Sequence, residues 1–269
     1  TEPARILACT WTSTKFTHRA QPGTVLLRVF IGGPRSEQHV ALDGTILTGR
    51  GVTSLRSEGG VYTLGLDDGT QLEADAVVLA TPAYASAALL QAGHPLLADK
   101  LSAIRYVSTA TVSLGYNASD FEHPLNGFGF VIARTEPSRI LACTWTSTKF
   151  THRARPGTVL LRVFIGGPRS EQHVTLDDQA LVALAREELQ RIMGITAEPM
   201  VARVFRWFRS NPQYDVGHLD RVDEIEALCP PGLILTGSAY RGVGLPDCIH
   251  QGQLAAQRVI ERRAESTAQ

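Results

Sequence analysis

The chain has 269 residues and a mass of 29.1 kDa, enough for one large domain or two smaller ones. Its 26 basic and 26 acidic residues balance, which excludes the one-signed charge field of nucleic-acid-binding and polybasic membrane-surface proteins. No apolar run reaches the roughly 18–20 residues that span a bilayer, and no secretory signal pattern is present. We therefore expect a mixed α/β protein of the cytoplasm without a transmembrane segment.

The first 43 residues are a near copy of a later segment. Residues 1–43 match residues 135–177 at 40 of 43 positions. The three differences are Ala4 against Ser138, Gln21 against Arg155, and Ala41 against Thr175. Solenoid repeats recur every 20–50 residues and diverge on their surface, so we interpret this copy as a recent duplication, a product of recombination or a sequence-assembly error. We expect each copy to form a β-hairpin, so that residues 1–43 compete with, or pack beside, residues 135–177 in a sheet. Such competition would permit self-association by strand exchange.

The cysteines and histidines follow no metal-binding or disulfide pattern. Cys9 only duplicates Cys143, and neither a CxxC nor an HxxxH spacing occurs. We therefore expect no metal site, no disulfide framework and a reducing environment.

The next predicted elements are a hairpin, a buried strand and a helix. Residues 61–66 alternate in polarity, and an Asp-Gly turn follows at 67–70. Residues 71–73 are then predicted to form the second strand of a hairpin. The near-continuous apolar run at 75–80 is typical of a strand buried on both faces. After Thr81-Pro82, the Ala/Leu-rich residues 83–90 predict a helix.

Beyond residue 107 the pattern predicts a broad antiparallel sheet that forms one wall of a cavity. Its strands are predicted at 109–116, 127–133, 139–146 and 158–165. The helical spacing of Leu181, Leu184 and Leu189 then predicts a helix, with Asp177 or Asp178 as N-cap and Gly194 as its end.

The C-terminal region combines three elements typical of an anion-binding site. Residues 232–237 predict a short buried strand, residues 238–245 a small-residue loop, and Pro246-Asp247 the start of a helix. A glycine-rich loop at a helix N-terminus suits an electron-rich or anionic group. Because Asp247 replaces the third glycine of GxGxxG, the motif alone leaves an ordinary turn equally open.

Several segments, taken in order, carry a family resemblance. They are GFGFV at 127–131, LACTWTS at 141–147, FTHRA at 150–154, VFIGG at 163–167, PQY at 212–214 with GH at 217–218, and GSAYRGVGLPDCI at 237–249. Together they resemble the oxygen-dependent protoporphyrinogen/coproporphyrinogen oxidase family, within the flavin monoamine-oxidase-like superfamily. The resemblance covers about residues 44–263.

The resemblance implies a mixed α+β fold with two functional portions. Residues 44–92 and 200–269 would form a partial FAD-binding domain of the flavin amine-oxidase type, and residues 93–199 a β-rich portion of the substrate domain. Residues 1–43 would be the duplicated β segment. No GxGxxG occurs in the 269 residues, so we expect the family's dinucleotide-binding unit to be absent.

The resemblance also implies site residues. Those expected to contact the flavin are Val52, Trp207, Gly242, Val243 and Gly244. Those expected to sandwich the tetrapyrrole are Val131, Thr144 and Phe164. Thr144 departs from the family, in which an aliphatic residue is usual.

The implied activity is oxidation of a porphyrinogen to a porphyrin in haem biosynthesis, with FAD as cofactor and dioxygen as acceptor. The cofactor carries this chemistry, so no catalytic side chain is expected. Two alternatives stay open, another flavin amine-oxidase-like oxidoreductase and a truncated non-catalytic fragment. The sequence does not show whether the substrate is protoporphyrinogen or coproporphyrinogen. It also leaves open whether the protein makes peripheral contact with the inner face of the membrane.

Overall fold

The computed structural model describes residues 6–11, 27–31 and 47–267, and it mixes helices and strands as predicted. The described strands are β1 (Ile6–Trp11), β2 (Leu27–Ile31), β3 (Val52–Glu58), β4 (Val61–Leu66), β5 (Gln71–Ala74), β6 (Val77–Leu79), β7 (Tyr106–Asn117), β8 (Gly129–Val131), β9 (Ile140–Trp145), β10 (Thr158–Gly166), β11 (Val201–Pro212) and β12 (Leu233–Leu235). The described helices are α1 (Ala83–Leu90), α2 (Pro95–Ser102), α3 (Thr146–Lys149), α4 (Gly167–Ser170), α5 (Asp178–Met193), α6 (His218–Leu228) and α7 (Leu245–Thr267).

The chain divides into two compact units. Of the described residues, the first unit contains those up to Arg105 and those from Pro212 onward, and the second is Tyr106–Asn211. The assignment of the chain to flavin and substrate portions stays a prediction. β11, which the sequence analysis grouped with the C-terminal piece, lies in the sheet of the second unit.

The first unit contains an antiparallel meander of β3, β4 and β5. Gly59 and Gly60 join β3 to β4 with φ values of 58° and 85°, a backbone that glycine adopts without steric cost. At the next turn, the Thr70 N–H donates to Oδ1 of Asp68 at 3.0 Å. The hairpin predicted around residues 67–70 is therefore confirmed.

The same unit contains a parallel pair formed by β6 and β12. The hydroxyl of Tyr62 on β4 donates to the carbonyl of Pro231 at 2.8 Å and ties the meander to the turn before β12. All three residues of β12 are buried. The predicted burial of β6 on both faces is wrong, because Val78 is 40% exposed and only Val77 and Leu79 are buried. Within the described residues, this sheet has two strands and leaves the face at Val78 uncovered.

The second unit is built on a five-stranded sheet with the order β11-β7-β10-β9-β8. The pairs β7–β10, β10–β9 and β9–β8 are antiparallel, which confirms the predicted sheet. Alternate residues of its central strands, including Val112, Leu114, Leu161 and Val163, are fully buried in one core. Helix α5 covers this face with a stripe that includes Leu181.

Local signals set both ends of α5. The side chain of Asp177 accepts a hydrogen bond from the Ala180 N–H at 2.8 Å, which satisfies one of the free N–H groups of the first turn. Gly194 ends the helix in the left-handed region, with φ at 69°. The predicted N-cap and helix end are both confirmed.

The two copies of the duplicated segment form hairpins in the same register. Ile6 pairs with Ile31 in β1–β2, as Ile140 pairs with Ile165 in β9–β10. Both hairpins have a register shift at the corresponding position. The second copy lies within the five-stranded sheet, whereas β1 and β2 form a separate two-stranded sheet. The rest of the first copy lies outside the described residues.

Candidate functional site

The loop between β12 and α7 is shaped by its glycines and by Asp247. Gly242 has a φ of 138°, and a Cβ built on it would lie 2.6 Å from Cβ of Asp247. The N–H of Gly244 donates to Oδ2 of Asp247 at 3.1 Å. Only glycine at position 242 permits both this backbone conformation and this close approach.

Tyr214 holds the two sides of this loop together. Its hydroxyl accepts a hydrogen bond from the Gly242 N–H at 2.8 Å and donates one to the Ser238 carbonyl at 2.9 Å. Burial raises the pKa of this hydroxyl, so it remains a protonated donor. Its ring stacks on His218 at a centroid distance of 3.8 Å. The sequence analysis quoted Tyr214 and His218 as part of the resemblance but gave them no role.

His218 begins α6 and is only 4% exposed. Its Nε2 lies 2.8 Å from the carbonyl of Tyr240, and because a carbonyl only accepts, Nε2 carries the proton. His218 thereby joins α6 to the first half of the loop.

Arg241 fastens the loop from a second direction. Its Nε donates to Oε1 of Glu226 at 3.0 Å, and one terminal nitrogen contacts Asp223 at 2.5 Å and Oε2 of Glu226 at 2.8 Å. Hydrogen bonds to Glu226 and Asp223 raise the pKa of Arg241 above its usual range. Arg241 and Tyr214 therefore anchor the first half of the loop, up to the N–H of Gly242.

The outer side of the loop presents free backbone donors. In the part of the chain that the structure describes, the N–H groups of Val243, Leu245 and Asp247 make no hydrogen bond. Val243 is 61% exposed, and α7 directs the positive end of its dipole to this point. These donors fit an electron-rich or anionic ring edge. Of the predicted flavin contacts, Gly242, Val243 and Gly244 thus share one loop.

Val52 lies elsewhere in the same unit. It is the first residue of β3, pairs with Leu66 and is 39% exposed. The role predicted for it, a backbone contact with the adenine half of a dinucleotide, stays a prediction.

The three predicted substrate residues lie on one face of the five-stranded sheet. Phe164 pairs with Ala142, Val131 pairs with the same Ala142, and Thr144 pairs with Arg162. Cross-strand partners share a face, so all five residues point away from the core under α5. Val131 is 83% exposed, whereas Thr144 and Phe164 are half-buried. The structure therefore brings Val131, Thr144 and Phe164 together.

Trp207 lies on β11, at one edge of this sheet, whereas β8 with Val131 forms the other edge. Val204 packs against the core, and Val201 lies on the opposite face, beside Gly115. The two-residue period of a strand places Trp207 on the same face as Val201, away from the core. Trp207 and the substrate residues thus share a sheet face but lie on different strands.

Three cysteines are free thiols, Cys143, Cys229 and Cys248. Burial raises the pKa of Cys143 to about 12, and it also raises the pKa of Cys248, whose Sγ lies 3.9 Å from the Gly242 carbonyl. Neither thiol has the lowered pKa of a reactive cysteine.

No group of three or more metal-ligating side chains occurs within residues 47–267. None of the described helices is long and apolar enough to cross a bilayer. Cytoplasmic location, contact with the inner membrane face and strand exchange stay predictions.

Comparison with known families places this chain in a class of flavoproteins. Residues 34–260 match the family described as flavin containing amine oxidoreductase, and the chain belongs to that family. Its fold is also similar to that of putrescine oxidase, with 17% identity and a TM-score of 0.58 over 79% of this chain and 49% of that one.

Within this family the chain is similar to porphyrinogen oxidases. It is 39% identical to coproporphyrinogen III oxidase of Bacillus subtilis (strain 168), over 80% of this chain and 46% of that protein. It is 32% identical to protoporphyrinogen oxidase of Bos taurus, over 80% of this chain and 48% of that protein. A solved structure from Exiguobacterium sp. 255-15, assigned as a protoporphyrinogen oxidase, has 32% identity and a TM-score of 0.68 over 82% of this chain and 47% of that one.

These similarities confirm the resemblance predicted from the sequence segments. The chain spans about half the length of the curated relatives that it matches.

Proposed function

We propose that this chain catalyses the FAD-dependent oxidation of a porphyrinogen to a porphyrin in haem biosynthesis, with dioxygen as the electron acceptor. The observation that carries the proposal is the shared sheet face of Val131, Thr144 and Phe164, in a chain whose relatives include coproporphyrinogen III oxidases. The apolar side chains of Val131 and Phe164 on this face suit the hydrophobic ring system of a large macrocycle, because they offer broad van der Waals contact.

The chemistry requires a carrier of electrons rather than an acidic or basic side chain. Conversion of a porphyrinogen to a porphyrin removes six electrons and six protons, and three molecules of dioxygen become three of hydrogen peroxide. A bound flavin supplies the two-electron acceptor for each of the three rounds. The protein's contribution is to bind, orient and shield the reacting rings.

The loop after β12 is the part of this chain that we assign to the reacting end of the cofactor. The N–H groups of Val243 and Leu245, together with the N-terminus of α7, favour negative charge on a ring edge. Gly242 and Gly244 keep side chains away from this surface. Trp207 and Val52 are assigned by resemblance as further contacts.

The proposal is tested by assaying the full chain with added FAD and coproporphyrinogen III in air. We expect porphyrin fluorescence to rise with hydrogen peroxide in a ratio of about 1:3, faster than with FAD alone. Val131→Asp places a charge on the 83% exposed edge of the sheet face and should slow the rate at least about tenfold. Leu96→Asp, also exposed but in the other unit, is the matched control and should leave the rate unchanged. A folded chain that adds nothing to the rate with FAD alone would refute the proposed function.

A further inference from the structure

Arg162 lies at the centre of the sheet face described above. It is on β10, paired with Thr144 of β9 and with Ser113 of β7. Phe164 follows two residues along the same strand and therefore on the same face, about 7 Å away. The Nε of Arg162 donates to the Ser113 hydroxyl at 3.4 Å. A cation thus lies among the residues assigned to an apolar ring system.

The charge of Arg162 is not balanced by the protein. No carboxylate in the described residues forms an ion pair with it, whereas Arg139, Arg206 and Arg241 each contact at least one. Burial lowers the pKa of Arg162, and the neighbouring charge of Arg153 lowers it further. A guanidinium nevertheless stays charged at any physiological pH. An anion that binds here would gain a charge-assisted hydrogen bond without displacing another carboxylate.

The surrounding segment adds to the positive charge. Residues 137–170 contain no Asp or Glu, yet they include Lys149, Arg153 and Arg155 before β10. Lys149 and Arg153 both lie over the ring of Phe150, at 5.6 Å and 4.5 Å from its centroid. These basic residues favour an anion near the start of β10, where Asp120, bonded to Asn117 opposite Thr158, is an acidic neighbour.

We propose that Arg162 binds a carboxylate of the ligand whose ring system lies on this sheet face. The inference rests on the proposed function, since porphyrinogens are apolar macrocycles that carry propionate side chains. Arg162 is then a specificity residue, because it recognises the acid group while Val131 and Phe164 contact the ring.

The test measures binding rather than turnover. Coproporphyrin III is titrated with the full chain, and binding is followed by the quenching of porphyrin fluorescence. The same titration is made with the tetramethyl ester, which has the same ring but no free carboxylate. We expect Arg162→Gln to raise the Kd for the acid about tenfold and to leave the Kd for the ester unchanged. Arg169→Gln is the matched control. It removes the same charge from the same acid-free segment, where among the described residues Arg169 bonds to the Arg134 carbonyl alone, and it should alter neither Kd.

The outcomes separate the two proposals. The assignment of Arg162 is wrong if the wild type and Arg162→Gln bind the acid with the same Kd. It is also wrong if the substitution raises the Kd for the acid and the Kd for the ester equally. In both cases the assignment of the substrate face stands. If wild type binds neither compound, the substrate face is wrong, and the assignment of Arg162 fails with it. Circular dichroism of each variant shows whether a loss of binding reflects unfolding.

Discussion

The hydroxyl of Ser138 donates a 2.7 Å hydrogen bond to Oε2 of Glu188, a carboxylate on α5 whose side chain is only 5% exposed. Arg139 and Arg191 bind the same carboxylate at 3.0 Å and 2.7 Å. Ser138 is one of the three positions at which the duplicated segments differ, and Ala4 stands there in the first copy. Only the second copy can therefore make this bond, which favours its place in the five-stranded sheet by about 1.5–3 kcal/mol.

Ser138→Ala removes that preference. We expect it to lower the free energy of unfolding by about 1.5–3 kcal/mol, because the buried carboxylate of Glu188 loses a half-buried hydroxyl donor. The other two differences provide controls. Arg155→Gln and Thr175→Ala alter exposed side chains and should each cost less than about 0.5 kcal/mol. Urea unfolding followed by circular dichroism measures all three, and equal losses would contradict this assignment.

Glu188 should make the second unit sensitive to acid. Burial opposes its ionisation, but hydrogen bonds from Arg191, Ser138 and Arg139 outweigh burial and lower its pKa to about 2. Its contribution to stability is therefore complete above the unfolded pKa of about 4.5 and is lost as the pH falls toward 2.

Glu188→Gln should lower the free energy of unfolding by about 3 kcal/mol at pH 7, because Arg139 and Arg191 lose the carboxylate that they share. Its deficit relative to wild type should shrink between pH 4.5 and about 2. Glu187→Gln, whose carboxylate is 62% exposed, should cost no more than about 0.5 kcal/mol at any pH. Urea unfolding at pH 7 and pH 3 distinguishes these results, and a deficit that is independent of pH would refute the account.

Helix α5 and strand β11 show where the sequence sufficed for the fold and where it did not. The Asp177 cap and the Gly194 end are local signals, so the helix was predictable with its boundaries. β11 was not predicted, because Arg203, Arg206 and Arg209 recur every third residue and obscure the two-residue period. Arg206 nevertheless points to the core side, where it binds the carbonyls of Val174 and Leu176. That compensation is visible only in the folded chain.

Tyr214→Phe tests the anchoring of the loop. The variant keeps the ring that stacks on His218 but loses the bonds to Gly242 and Ser238. Without this hydrogen bond, the local free energy of opening at the Gly242 N–H should fall by about 1 kcal/mol. Its hydrogen exchange should therefore be about fivefold faster. Tyr62→Phe is the control, because it removes a hydroxyl bonded to Pro231 in the same unit. Unchanged exchange in Tyr214→Phe, or equal acceleration in both variants, would contradict the assigned role.

Two glycines near α7 should respond to alanine in opposite directions. Gly242→Ala meets Asp247 at 2.6 Å and has an unfavourable φ of 138°, so we expect a loss of about 1–3 kcal/mol. Gly252 lies within α7 with nothing within 4 Å of a new Cβ, so Gly252→Ala should gain about 0.5–1 kcal/mol. Urea unfolding gives both values, and shifts of the same sign would refute this view of the loop.

The candidate site was only partly readable from the sequence. The resemblance singled out the loop at 242–244 and the residues Val131, Thr144 and Phe164, but it did not predict that these three share one sheet face. Tyr214 lies 28 residues before Gly242, and no local period reveals that their atoms meet. The exposure of Val78 was equally hidden, because an apolar run does not show how many faces of its strand are covered.

The most direct test of the central claim is a titration of the purified chain with FAD, followed by visible absorbance and flavin fluorescence. The account predicts saturable one-to-one binding with shifted absorption bands, because the loop around Val243 presents free donors to the ring edge. Gly242→Ala should weaken that binding, whereas Gly252→Ala should not. A flavin spectrum that stays that of free FAD at tens of micromolar protein would contradict the claim that this chain acts as a flavin-dependent oxidase.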